Sequence, residues 1–121
     1  MSKACLVITA HPGDFVWRAG GAIALHAKRG WKMKILCLSF GERGESQFAW
    51  KKEGATLAQV KADREREARA AAEVLGAEIE TMDAGDYPLV TTDAMMERAI
   101  DIFRELNPRF VLTHSLNDPY N

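Results

Sequence analysis

The chain is poor in cysteine, in excess charge and in long hydrophobic runs, and each shortage removes a class of protein. Two cysteines in 121 residues cannot build a disulfide framework. Cys5 and Cys37 both sit inside apolar runs, so they read as small core residues in a reducing, cytoplasmic compartment. Sixteen Lys+Arg against 17 Asp+Glu give a formal net charge of −1, which offers no global attraction to nucleic acid or a membrane surface. The longest apolar runs, residues 4–10 and 35–38, are far too short to span a bilayer. Met-Ser-Lys leads directly into a strand-like run, so no signal peptide is expected. Internal repeats and low-complexity tracts are lacking too. What is present is 47% apolar and 27% charged residues, the balance of a globular chain rather than a disordered one. The length fits a single domain over 1–121. Its last residues, N-D-P-Y-N, follow a strand inside a polar loop, and the expectation is the front part of a longer domain.

The order of elements follows from periodicity and punctuation. Residues 5–10 form a continuous β-rich run, as in a strand buried on both faces. Turn chemistry at 11–14 leads into a helix expected over 15–29, with Asp14 at its N-cap and Gly30 as its stop. Gly20 and Gly21 weaken that helix and suggest close approach of another backbone. A second strand is expected over 32–40, then a charged, glycine-containing loop at 41–46. Phe48 and Trp50 in the next segment suit a short helix, a lid or a subunit contact. Leu57, Val60, Ala68, Ala71 and Leu75 recur at helical spacing, and Gly76 ends that helix. A short strand at 79–82 and a loop at 85–89 follow. A helix over 94–106 comes next, capped by Thr92 or Asp93, and then a strand at 109–113. This β-α-β-α-β-α-β order predicts an α/β fold: a Rossmann-like open, mainly parallel sheet with helices on both faces. Ligands of such sheets bind beyond the carboxyl ends of the strands. His11/Asp14, residues 41–46, residues 83–86 and His114 all fall at such ends.

His11 and Asp14 offer a nitrogen and an oxygen donor three residues apart, a pair suited to zinc or a similar ion. Their plainer roles are a turn residue and a helix cap, and a carboxylate can cap a helix and still offer an oxygen. A catalytic zinc normally takes three protein ligands. His26 lies inside the first helix and should face away from the rim, so a third ligand is either His114 or outside this chain. Arg64 falls on the apolar stripe of its helix, four residues from both Val60 and Ala68. A charge there needs a partner or a ligand, and Glu67 three residues on can hold it. The alternative is a surface ion pair. Arg43 and Glu45 are either pocket groups or members of a solvated turn. Arg18 is either a rim cation or a solvated helix residue, and Asp86 either a turn-former or a pocket carboxylate.

Taken in order, these residues resemble the PIG-L/LmbE-like metal-dependent deacetylases. A-H-P-G-D at 10–14 looks like the family's A-H-P-D-D motif, and Gly20-Gly21 its following helix. Residues 41–46 resemble its loop after the second strand. Arg64, Glu67, Ala71, Leu75 and Gly76 resemble its central helix signature. D-Y-P-L at 86–89 and V-L-T-H at 111–114 resemble its later motifs. The resemblance implies zinc held by His11 and Asp14, with a third family ligand, a histidine, expected beyond Asn121. It also exposes a departure. The family's general base is the first aspartate of A-H-P-D-D, and here that position is Gly13. Losing a general base typically costs a factor of about 10²–10⁴, which argues against ordinary amide hydrolysis.

The stretches 14–25, 37–46 and 112–121 resemble a branch of the family with different chemistry. The expectation is a zinc-dependent hydratase adding water to an unsaturated oxo-polycarboxylate of the 4-oxalomesaconate kind. Arg18, Arg43, Arg64 and Asp86 would line the substrate, since polycarboxylates call for bidentate arginines. Glu45 and His114 are the acid/base candidates. One alternative is a zinc-dependent deacetylase of an N-acyl amino sugar. A second, of another class, is a non-catalytic metal-binding fragment. The expected partner is a small anionic substrate, with neither nucleic acid nor membrane, in a chain that could self-associate.

Overall fold

The computed structural model describes residues 2–119. Its core is a four-stranded, all-parallel sheet built from β1 (Ala4–Thr9), β2 (Lys32–Cys37), β3 (Glu78–Thr81) and β4 (Phe110–Leu112), in the order β3-β2-β1-β4. Between them run α1 (Pro12–Trp17), α2 (Gly20–Lys28), α3 (Gln47–Trp50), α4 (Leu57–Leu75) and α5 (Asp93–Leu106). The register pairs Val7 with both Ile35 and Leu112, so the most apolar strands lie at the centre.

Alternation along the strands divides the core in two. Cys5, Val7, Met33, Ile35 and Cys37 point to one face, where Phe15 of α1, Ile23 of α2 and Ala68 and Ala72 of α4 cover them. Leu6 and Leu36 point to the other, under Ile102, Met95 and Ala99 of α5. Helices on both faces explain why β1 and β2 read as continuous apolar runs. Both cysteines are fully buried and free. Burial pushes the Cys37 thiol up to about 12, which leaves it a packing residue.

Some local expectations are corrected. The first helix does not start at an Asp14 cap. His11 is the N-cap, Pro12 opens the helix with its preset φ, and Asp14 stands in the first turn with its carboxylate accepting the His11 backbone N–H at 3.0 Å. Nor is it one helix: the chain breaks at Arg18 and Ala19 and restarts at Gly20. No other backbone comes unusually near the glycine pair: a Cβ on Gly20 would be in ordinary contact, 3.6 Å from the Phe15 carbonyl oxygen and 3.8 Å from the Leu75 side chain, and one on Gly21 would meet nothing within 4 Å. α4 runs over the expected residues, with Thr56 accepting from the Gln59 N–H at one end and Gly76 left-handed at the other. Among the described residues no helix is long and apolar enough to cross a membrane.

Candidate functional site

The parallel sheet delivers its loops to one rim. β1 ends at Thr9, and His11 follows at the start of α1. The residues after β2 fold back over that turn: Ser39 Oγ donates to the Ala10 carbonyl at 2.7 Å and accepts from the Gly41 N–H at 3.2 Å. Ser46 Oγ then donates to the Gly41 carbonyl at 2.7 Å, closing the 41–46 loop on itself. Trp50 fixes it further, its indole N–H donating to the Glu42 carbonyl at 2.6 Å. That explains one of the two aromatics of this segment, whereas Phe48 stays exposed.

Three side chains meet at the centre of the rim. His11, Asp14 and Glu45 each offer a ligand atom, and these atoms lie within 4.8 Å of one another. His11 and Asp14 are buried. Glu45 is 29% exposed at its side chain, open to an incoming molecule. A nitrogen with carboxylate oxygens at this spacing fits a divalent ion of the zinc type. Electrostatics favour it too. The hydrogen bond to Asp14, opposed by burial and assisted by Asp86, raises the His11 pKa to about 9. Burial pushes the Asp14 carboxyl up, but hydrogen bonds from the His11 side chain and backbone outweigh it and hold the group below its ordinary range. Asp14 is therefore held ionised beside a ring whose proton a cation could displace and replace in charge.

Glu45 sits where it does because of glycine. Its carboxylate accepts the Gly13 N–H at 3.1 Å. A Cβ on Gly13 would stand 2.7 Å from Glu45 Oε1, and one on Gly41 2.9 Å from Oε2. Both are closer than a real Cβ approaches another heavy atom. The space beside Gly13 is thus filled by a carboxylate from another loop.

The other candidates are placed as follows. Arg64 does reach the site: Nη2 lies 3.5 Å from Glu45 and Nη1 2.7 Å from Glu67, while Nε is buried without a hydrogen-bond partner. Arg18 pairs with Asp14 at 3.6 Å and with Asp118. The Arg43 side chain points to solvent, and the residue meets the site through its backbone N–H, which donates to Asp86 at 2.9 Å. Asp86 is not a carboxylate open to substrate, because both its oxygens are engaged inside the protein, one of them with His11 at 2.9 Å. Burial pushes the Asp86 carboxyl up, but the Gly44 and Arg43 N–H groups and His11 outweigh it and hold the carboxyl low. His114 lies at the rim with both ring nitrogens occupied: Nε2 accepts the Ala10 N–H at 3.0 Å and Nδ1 faces Asp118 at 2.9 Å. A nitrogen that accepts from a backbone amide carries no proton there, so His114 clamps the loop after β4 onto the ligand-bearing turn. His26 faces away, its ring edge-on to Trp31 and Phe110. Asp118 was not singled out from the sequence. Its spacing of four from His114 in a polar loop was the available signal. A cleft of about 630 Å³ opens beside His11, His114, Tyr87 and Leu89.

These features define an α/β domain with a histidine–carboxylate cluster at the carboxyl ends of a parallel sheet, the place where such folds bind ligands. Residues 6–121 match the PIG-L family of GlcNAc-PI de-N-acetylases, and the chain belongs to that family. It is 56% identical over 119 residues to a 4-oxalmesaconate hydratase of Pseudomonas putida, an alignment covering 98% of this chain and 46% of the relative. Its structure is similar to the crystal structure of the 4-carboxy-2-hydroxymuconate hydratase of the same species, with a TM-score of 0.94, 55% identity, and coverage of 100% of this chain and 50% of the other. It is also similar to the N,N'-diacetylchitobiose deacetylase of Pyrococcus horikoshii, with a TM-score of 0.83, 25% identity, and coverage of 99% and 43%. The chain thus spans about half the length of the relatives it matches.

Proposed function

We propose that this chain carries the catalytic rim of a zinc-dependent hydratase that adds water to an unsaturated oxo-polycarboxylate of the 4-oxalomesaconate kind. The observation that carries the reading is the Gly13–Glu45 exchange: the family's usual base position has no side chain, and the Glu45 carboxylate fills the space beside it. His11 and Asp14 would hold the metal, and a further ligand is expected from the part of the relatives' length that this chain does not span. A zinc ion bound there supplies Lewis acidity toward the substrate's oxo and carboxylate oxygens. Glu45 removes a proton from the water that adds. The new C–O bond forms as the alkene electrons move toward the conjugated carbonyl, and a proton then returns to the neighbouring carbon. Arg18 and Arg64 are the cations for the substrate's carboxylates, since the Arg43 side chain points away to solvent. The unpartnered Nε of Arg64 is a donor that such a carboxylate would satisfy. The hydratase names of the relatives above 50% identity support the reading. The buried thiols of Cys5 and Cys37 fit a cytoplasmic enzyme.

The test is the full-length protein with 4-oxalomesaconate, followed by loss of the conjugated absorbance. Turnover abolished by a chelator and restored by zinc is expected. Amine release from N-acyl amino sugars, with no hydration, would overturn the reading in favour of a deacetylase. A protein that binds zinc stoichiometrically and melts higher with it, yet turns over neither, would be the non-catalytic module.

A further inference from the structure

Asp86 is the junction of the rim. Its side chain is 1% exposed, and its two oxygens serve two different structures. Oδ1 lies 2.9 Å from His11 Nε2. Oδ2 accepts the backbone N–H groups of Arg43 at 2.9 Å and Gly44 at 2.7 Å. The next residue, Tyr87, reinforces the second contact, since a Cβ on Gly44 would stand 2.6 Å from its ring. The 86–87 turn therefore grips the two residues immediately before Glu45 while holding the ring of His11.

Simple donor–acceptor logic sharpens this. An ionised carboxylate has lone pairs and no proton, so the His11 Nε2 it faces must be the donor. Nδ1 is then the nitrogen left for a metal, and it is the one that faces Asp14, at 3.5 Å. We propose that Asp86 is a positioning residue that presents His11 Nδ1 to the metal and, through the same carboxylate, sets the loop that carries Glu45. It fixes the distance between a metal ligand and the proton acceptor without touching substrate. The inference rests on the metal-and-base reading above.

Replacement by asparagine separates the two jobs. In Asp86→Asn the amide oxygen is drawn to the two N–H groups of Arg43 and Gly44, because turning the NH₂ toward them would face donor with donor. The NH₂ then meets His11 Nε2, which must accept, so the ring proton moves to Nδ1 and blocks the metal. Asp86→Ala loses both functions. Zinc affinity of the full-length protein is read by competition with a chromophoric chelator, and loop order by hydrogen exchange of the Arg43 and Gly44 amides. We expect zinc binding to weaken about 10–100-fold in both variants, the usual cost of losing a histidine's outer partner. Amide protection should be kept in Asp86→Asn and lost in Asp86→Ala. Zinc binding by Asp86→Asn within threefold of the parent would overturn the inference and leave the metal reading standing. A parent protein that binds no zinc would overturn both. Histidine ¹⁵N spectra of the zinc-loaded parent give an answer that needs no variant: coordination through Nδ1 with a proton on Nε2 supports the assignment, and coordination through Nε2 overturns it.

Discussion

Two charged clusters in this fold use the same ingredients to different ends. At the carboxyl rim Asp86 pairs with His11 in near-complete burial and also accepts two backbone N–H groups. Between β3 and α5, Glu80 pairs with Arg98 through two hydrogen bonds of 2.7 and 2.9 Å, with Lys34 nearby, and solvent reaches all three side chains. The two clusters have contacts of the same length, 2.7 to 2.9 Å, but in the second water competes for every charge and salt screens it. The first lies where a carboxylate without its partners would be costly, so its geometry is enforced. Contact length alone therefore does not rank the two; burial does.

The largest effect should come from the group at the open edge of the buried cluster. Glu45→Gln should lower kcat by a factor of about 10²–10⁴ at unchanged zinc content, read by steady-state rates and metal analysis. Loss of zinc along with activity would make Glu45 a ligand instead. Gly13→Ala comes next. Its new Cβ falls on the Glu45 carboxylate, which must move, and a displacement of about 1 Å costs on the order of 10²-fold in rate. The melting temperature should barely change, because the displaced group is the end of a flexible, part-exposed side chain.

The third prediction concerns pH. His11 has a raised pKa of about 9, so its contribution to the stability of the metal-free fold is complete below the ordinary value of 6.5 and drains away as pH rises through about 9. Zinc requires the neutral ring and runs the opposite way: affinity should rise about tenfold per pH unit up to about 9. Calorimetry in buffers of different ionisation enthalpy should detect the released proton. The smallest effect belongs to the surface cluster. The Arg98 hydrogen bond lowers the Glu80 pKa, so its contribution is present above the ordinary carboxylate value and is lost as pH falls through the lowered one. Glu80→Gln should shift the melting temperature only slightly at neutral pH, less in high salt, and not at all in strong acid. A shift at neutral pH as large as that of Asp86→Ala would break the comparison between the clusters.

Much of the fold was legible because its signals are local. α4 has helical spacing between a threonine cap and a left-handed glycine, and its limits match those read from the sequence. The continuous apolar runs of β1 and β2 announced strands covered on both sides. The break at Arg18 and Ala19 was not legible, because the apolar pattern runs through it without a stop signal. The site divides the same way. His11, Asp14, Glu45 and Arg64 could be singled out as residues whose chemistry is out of place on a plain surface. Asp86 could be named but not given its role, since its partners are 75 and about 43 positions away.

Taken by itself, the sequence determined a parallel α/β domain, the location of its polar rim and the missing carboxylate at Gly13, because hydropathy period, turn residues and motif spacing are properties of neighbouring positions. Only the tertiary structure decided what fills the gap at Gly13, which carboxylate faces each nitrogen of His11, and that His114 accepts the Ala10 N–H. Those depend on which loops the sheet order brings together. Side chains far apart in the chain compete there for the same few ångströms and the same protons.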